Sequence, residues 1–304
     1  MTPSGAPAQA VREPLQASEL LRALRPGQWL KNLLVLAGAL FSGLATTPHV
    51  VVQALLGVVA FTVASSSVYL ANDVLDVEAD RRHPTRRNRP IASGRVPIRL
   101  AIAMAATLAV SGLLIAAKVG RLFAAIVCFY LLINAIYSLG GKRVVIVDVL
   151  IVSAGFVLRA VAGAVAAEVA PSSWIVVCTL ELAMLVVLGK RRIDLLTAER
   201  NGTRHLLPEE WYTIDFLDLL MAVSAGASIV TYSLYTLDPR TVESIGNRRM
   251  VLTLPMVVYG SLRYLFLVHT GRSTSDPTTA LVSDWGLRIC ALAWVAAAIV
   301  AVYL

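Results

Sequence analysis

The chain has 304 residues, 57% of them hydrophobic and 15% charged, and carries a net charge of +8 at neutral pH. With a mean hydropathy of +0.72, that composition excludes an ordinary soluble domain and belongs to a polytopic membrane protein. Cys128, Cys178 and Cys290 all lie in apolar runs without CxxC spacing, and the four histidines are scattered, which excludes a disulfide framework and a zinc motif.

In chain order, residues 1–15 are small and polar and read as a disordered tail without the apolar core of a signal peptide. Residues 16–304 read as a single transmembrane domain. Gln16 to Gly27 has the pattern of an interfacial helix, with Leu20, Leu21 and Leu24 opposed to Arg22 and Arg25. Pro26, Trp29 and Lys31 then mark the headgroup level. Nine spanning helices follow, at 29–46, 50–76, 98–117, 121–139, 144–167, 173–190, 215–236, 250–269 and 285–304, which makes an all-α bundle. Small residues from Gly155 to Gly163 permit close helix packing, and Gly94 to Pro97 punctuates the start of the third span.

Lysine and arginine placement sets the orientation. With the N-terminus inside, the cytoplasmic connections carry Arg22, Arg25, Lys31, the run of arginines from Arg81 to Arg99, Lys142, Arg143, Lys190, Arg191, Arg192, Arg200 and Arg204. The outer connections carry only Lys118, Arg121, Arg240, Arg248 and Arg249. The positive charge thus belongs to one membrane face, where membrane lipids are the first partner and nucleic acid is not required.

Tyr69 to Gly94, YLANDVLDVEADRRHPTRRNRPIASG, holds the densest chemistry. If the second span continues helically through it, Asp73, Asp76 and Asp80 share one face with Tyr69, and Glu78 points away. Three like charges on one face repel unless a cation lies among them. Over roughly 10 Å they suit Mg²⁺ chelated by a diphosphate, since carboxylate oxygen is the ligand type that ion prefers. A solvated acidic helix end paired with arginines is the plainer alternative.

Three connections on that side carry phosphate-type chemistry. The first runs from the aspartates through Arg81, Arg82, Arg86, Arg87 and Arg89; the second is Tyr137 to Arg143, containing Lys142. The third is Gly189–Lys190–Arg191–Arg192–Ile193–Asp194, expected at a helix end with at least one cation facing the cavity beneath the aspartates. Any one such cluster also serves as a topology signal. Combined with a carboxylate set on the same face, they offer what a departing diphosphate needs. Within the membrane, Asp148 and Arg159 lie on one helical face at different depths, with Glu181 and Arg263 on later spans. Such residues face a wet cavity or pair structurally, and Arg159 is the strongest ligand candidate among them.

Asn72-Asp73-Val74-Leu75-Asp76-Val77-Glu78-Ala79-Asp80, continued by His83-Pro84-Thr85 and Arg87-Asn88-Arg89-Pro90-Ile91-Ala92-Ser93-Gly94, resembles the NDxxDxxxD signature of the UbiA superfamily of intramembrane prenyltransferases. Within it, Arg25-Pro26-Gly27-Gln28-Trp29-Leu30-Lys31-Asn32 and Gly189-Lys190-Arg191-Arg192 are similar to the actinobacterial decaprenyl-phosphate phosphoribosyltransferases. The resemblance implies a nine-helix fold opening to the cytoplasm in the plasma membrane. It also implies transfer of phosphoribose from 5-phosphoribosyl diphosphate to decaprenyl phosphate, for cell-wall arabinan. In the roles so implied, Asp73, Asp76 and Asp80 hold Mg²⁺ and Lys142 stabilises the leaving charge. Gln28, Lys31, Tyr69, Asn72, Arg87, Tyr137, Arg159, Lys190, Arg191, Arg192 and Asp194 contact substrate. Aromatic prenyltransferases of the superfamily carry a second acidic motif where this chain has KRRID, which favours a second phosphate site. An aromatic prenyltransferase and a transporter remain the rival readings, and the oligomeric state, a homo-oligomer included, stays open.

Overall fold

The computed structural model describes residues 16–204, 211–271 and 283–304; the expected tail at 1–15 lies outside the described residues. Its elements are helices throughout. A short α1 (Ala17–Ala23) leads into a 3₁₀ segment, Pro26–Val35, and α2 (Leu36–Phe41). Then come α3 (Pro48–Leu75), α4 (Val77–Arg82), α5 (Ile98–Val119), α6 (Arg121–Leu139) and α7 (Val147–Ala166). The chain continues with α8 (Ser173–Arg200), α9 (Ile214–Leu237), α10 (Pro239–Ile245), α11 (Leu254–His269) and α12 (Trp285–Tyr303).

Among the described residues, eight helices are long and apolar enough to cross a membrane. The first expected span, 29–46, differs from them. It is built as the 3₁₀ segment plus α2, and burial explains why. Asn32, Val35 and Gly38 are buried at the three-residue spacing that a 3₁₀ helix stacks on one line, and Trp29 at the head of that line donates to Ser66 Oγ at 3.1 Å. Asn32 donates to Thr62 Oγ1 at 3.1 Å and Ser65 Oγ at 3.3 Å, so the polar member of the ridge is satisfied by α3. At about 2.0 Å per residue the 3₁₀ segment, together with α2, reaches roughly 30 Å, the thickness of a hydrocarbon core.

Consecutive helices pack as neighbours, and α12 closes the bundle against α2. Tyr303 secures that closure: its hydroxyl donates to the Leu40 carbonyl at 3.1 Å and accepts from the Ala45 amide at 3.0 Å. The inner surface is built from two clusters, one of small and aromatic side chains (Ala60, Phe61, Ala64, Phe123 and Tyr130) and one that includes the larger aliphatic Leu185, Leu188, Leu217 and Met221. Leu114, Leu122, Leu132, Leu219 and Leu292 are exposed on the outside, as lipid-facing positions require. The tightest approach joins α2 to α7. A Cβ on Gly38 would stand 2.0 Å from the Gly163 backbone carbon, and one on Gly163 would stand 2.1 Å from the Val35 carbonyl oxygen. Only glycine at both positions lets these backbones meet.

Two further expectations are corrected. The helix carrying the aspartates does not run straight through them: α3 ends at Leu75, Asp76 adopts φ −94°, ψ 5°, and α4 starts at Val77. The sixth span does not end near Lys190 either. It continues to Arg200, so Lys190, Arg191 and Arg192 lie inside a helix of 28 residues. The extension is amphipathic, burying Ile193, Leu195 and Ala198 while Lys190 pairs with Asp194 one turn on at 3.0 Å.

Candidate functional site

The break at Asp76 divides the three carboxylates between different cations. Asp73, buried at the end of α3, accepts from the guanidiniums of Arg25 and of Arg89. Asp80, buried on α4, accepts from the same Arg89 nitrogen. Arg89 Nη1 lies 3.1 Å from Asp73 and 2.6 Å from Asp80, so one positive atom sits between two buried carboxylates. Asp76 turns instead to the Lys142 ammonium. Asn72 accepts from the Ser138 hydroxyl, which ties α3 to the end of α6. Glu78 points away, as its helical position demands, and pairs with Arg81 at 2.8 Å on the exposed side.

Each cation arrives on a turn. Arg25 takes a left-handed backbone (φ 55°, ψ 62°) between α1 and the 3₁₀ segment, a conformation uncommon for a residue with a Cβ. Its guanidinium lies 5.2 Å over the Tyr69 ring. Arg89 follows a 3₁₀ turn, Arg86–Asn88, held by His83, whose Nδ1 accepts from the amides of Thr85 and Arg86 at 3.3 Å. Burial and the neighbouring Arg86 hold the His83 imidazole below its ordinary pKa, in keeping with a neutral ring that accepts. Lys142 stands in the 3₁₀ turn Gly141–Arg143 between α6 and α7. Beside Asp73 opens a cavity of about 230 Å³ lined by Arg22, Arg25, Arg86 and Arg89.

A second polar cluster adjoins the first across the end of α6. Arg191 donates to Asp148 at 3.0 Å and to the Tyr137 hydroxyl at 2.9 Å. The Tyr212 hydroxyl donates to the other Asp148 oxygen at 2.7 Å and accepts from the Ile146 amide at 2.7 Å. Burial, with Asp148 accepting the phenolic proton, pushes the Tyr212 pKa well above its ordinary value. Ile146 itself has φ 71°, a strained state for a β-branched residue, and this Tyr212 contact holds it.

The remaining expected residues lie elsewhere. Arg192 is buried, paired with Asp218 at 2.5 Å and donating to the Val268 carbonyl at 3.1 Å. Arg159 is buried among Asn32 Oδ1 (2.8 Å), the Gly155 carbonyl (2.7 Å) and the Tyr130 hydroxyl (3.1 Å), with its guanidinium 4.7 Å over the Tyr130 ring. Lys31 lies 5.9 Å from the centre of the Phe156 ring. Gln28 is half-buried in the 3₁₀ segment, and Arg87 is exposed on the loop after α4. Sequence reasoning gave no individual role to Arg25, Arg89, Ser138 or Tyr212, although Arg89 and Ser138 lie in connections it assigned to phosphate chemistry. A usable signal existed for two of them: Arg25 precedes a Pro-Gly turn, and Arg89 stands between turn-forming Asn88 and Pro90.

Among the described residues no three His, Cys, Asp or Glu side chains converge as a metal cluster. The donor chemistry nonetheless fits a hard divalent cation, since Asp73 and Asp80 already hold a positive nitrogen between them and offer only oxygen.

A multi-pass helical bundle that gathers carboxylates, lysine and arginines at one end of its helices defines the class of intramembrane transferases acting on phosphorylated substrates. The chain belongs to the UbiA prenyltransferase family, whose model matches residues 32–189. It is 36% identical over 296 residues to the decaprenyl-phosphate phosphoribosyltransferase of Mycolicibacterium smegmatis, covering 94% of this chain and 93% of that protein. With the protein of the same name from Corynebacterium glutamicum it shares 35% identity over 292 residues, 95% of this chain and 88% of that one. In fold it matches a UbiA homologue from Archaeoglobus fulgidus bound to DMAPP and Mg²⁺, with a TM-score of 0.72 at 18% identity, covering 94% of this chain and 99% of that one.

Proposed function

We propose that the protein transfers the 5-phosphoribosyl group from phosphoribosyl diphosphate to decaprenyl phosphate and releases diphosphate. The observation that carries this reading is the 35–36% identity with decaprenyl-phosphate phosphoribosyltransferases along nearly the whole chain. The site's chemistry supports it: carboxylates to hold a metal–diphosphate, and beside them a basic cavity for further phosphate.

Asp73, Asp76 and Asp80 would hold Mg²⁺, which when bound supplies positive charge to the diphosphate. Asn72, oriented by Ser138, and Lys142 donate hydrogen bonds to the leaving group. As the bond from ribose C1 to the diphosphate oxygen lengthens, charge accumulates on that oxygen, and Lys142 and the nearby guanidiniums stabilise it. An oxygen of the lipid phosphate forms the new bond to C1 from the opposite face. Because that oxygen is anionic at neutral pH, no general base is needed. In the same reading the site faces the cytoplasm of the plasma membrane, where the soluble donor is found, and the product feeds the arabinose donor lipid of cell-wall arabinan.

The test is incubation of purified protein with Mg²⁺, phosphoribosyl diphosphate and decaprenyl phosphate, following diphosphate release and the lipid product. Turnover of prenyl diphosphate with an aromatic acceptor, and none of phosphoribosyl diphosphate, would overturn the reading.

A further inference from the structure

Of the KRR cluster on α8, which the sequence suggests as a second phosphate site, Arg191 and Arg192 are engaged inside the protein, while Lys190 pairs with Asp194 and keeps its side chain 42% exposed. Arg191 is bound to Asp148 and Arg192 to Asp218, both arginines buried. Four arginines meet elsewhere, in the cavity between α1 and the loop after α4. Resting on the phosphoribosyl-transfer reading, we propose that this cavity, through Arg22, Arg25, Arg86 and Arg89, binds the 5-phosphate monoester of the donor.

Charge favours it. Four guanidiniums line the cavity with one carboxylate, Asp73. Arg25 and Arg89 are shared with Asp73 and Asp80, and the positive charge left over suits a phosphate monoester, which carries about −1.5 to −2 at neutral pH. Guanidinium forks match phosphate geometry better than point charges do. Thr85 and Asn88 add polar groups, and among the described lining residues only Pro90 is apolar. The lining itself offers almost no apolar surface to a polyprenyl tail, which favours the monoester of the water-soluble substrate over the lipid phosphate. At about 230 Å³ the cavity is smaller than the ~300–1,000 Å³ of a whole-ligand pocket and takes one part of a ligand.

Position favours it too. The cavity borders Asp73 but not Asp76 or Lys142, so its occupant lies to one side of the carboxylate cluster. A donor with a diphosphate on C1 and a monoester on C5 has two anionic ends separated by the sugar ring. It can therefore reach both places at once, whereas a prenyl diphosphate has only one anionic end. Arg22 is not committed to another role, since its ion pair with Glu19 is long (3.9 Å) and its side chain is 59% exposed.

Arg22→Gln and Arg86→Gln test this in the full-length protein, with Arg86→Lys as the charge-conserving variant and exposed Arg99→Gln as the control. Each Gln variant should raise the KM for phosphoribosyl diphosphate roughly tenfold or more. The KM for decaprenyl phosphate should not move, and Arg86→Lys should recover part of the loss. Binding of ribose 5-phosphate in EDTA, read calorimetrically on the same preparations, should weaken in parallel and stay unchanged in Arg99→Gln. An unchanged donor KM, or a rise in the lipid KM instead, overturns the assignment while leaving phosphoribosyl transfer standing. If wild-type protein does not consume phosphoribosyl diphosphate, the reaction assigned above fails. The calorimetry then still decides whether the four arginines form a monoester site: arginine-dependent binding upholds it, and binding indifferent to Arg22 and Arg86 overturns it.

Discussion

Arg191 donates through Nε to Oδ2 of Asp148 at 3.0 Å, with both side chains buried where α7 and α8 meet. The pair is closed by Tyr137 on one side and Tyr212 on the other. Removing one partner of a buried ion pair leaves an uncompensated charge, a loss of about 3–5 kcal/mol. Asp148→Ala or Arg191→Ala should therefore lower the thermal unfolding midpoint in detergent sharply, and the double substitution Asp148→Leu with Arg191→Met should lose far less than the two single losses together. Strict additivity would show that the two residues do not act as a pair.

The carboxylates give a second expectation. EDTA should abolish turnover and Mg²⁺ restore it. Asp73→Asn and Asp76→Asn should each reduce the rate by orders of magnitude, whereas Glu78→Gln, whose partner is the exposed Arg81, should stay near wild type. Comparable losses at all three positions would show that the division between inward-facing and outward-facing carboxylates has no catalytic meaning.

Lys142 is the cation of the turn between α6 and α7, and it pairs with Asp76. Lys142→Ala should lower kcat about tenfold to a hundredfold, the ~1.5–3 kcal/mol of a charge-assisted contact. Steady-state kinetics with both substrates varied would reveal it, and a change confined to the KM values would remove Lys142 from the leaving-group role.

Packing supplies a fourth expectation. Gly38→Ala and Gly163→Ala place a methyl group against backbone atoms, at 2.0 and 2.1 Å, where no side chain can move aside. Each should cost at least ~1–3 kcal/mol and reduce the yield of folded protein. Gly226→Ala meets nothing within 4 Å and should be neutral or slightly stabilising, as alanine replaces glycine in a helix. Size-exclusion profiles and unfolding midpoints of the three variants make the comparison.

Topology is tested by single cysteines at Ser93 and Thr47. Thr47 precedes α3 and Ser93 follows the short α4, and the 28 residues of α3 span about 42 Å, more than the ~30 Å of hydrocarbon. Impermeant reagents should label the two positions from opposite sides, Ser93 from the cytoplasm. Labelling of Ser93 from outside would reverse the orientation and place the site away from its soluble donor.

The sequence by itself determined the helical membrane fold, the bounds of most spans and the face that bears the charge. Those properties depend on local apolar length and on counting lysines and arginines, and α6 begins and ends where its apolar run does. It also placed Asp73, Asp76, Asp80 and Lys142 in one neighbourhood, because the motif spacing and the family resemblance carry that information. What it did not contain was which cation meets which carboxylate. Arg25 and Lys142 reach Asp73 and Asp76 across 48 and 66 residues, and such pairing is set by how the helix ends meet. The same dependence decided the surroundings of Arg191 and Arg192. In sequence they are cations near the end of an apolar run, but α8 continues and buries them, and buried charge must be neutralised where it lies, so Asp148 and Asp218 claim them. The 3₁₀ course of Pro26–Val35 was equally out of reach, since it exists to lay Asn32 and Val35 against α3 and α7 and to bring the chain to the glycines at 38 and 163. Local composition sets where the chain enters the membrane; packing between distant segments decides which of its charges remain available for chemistry.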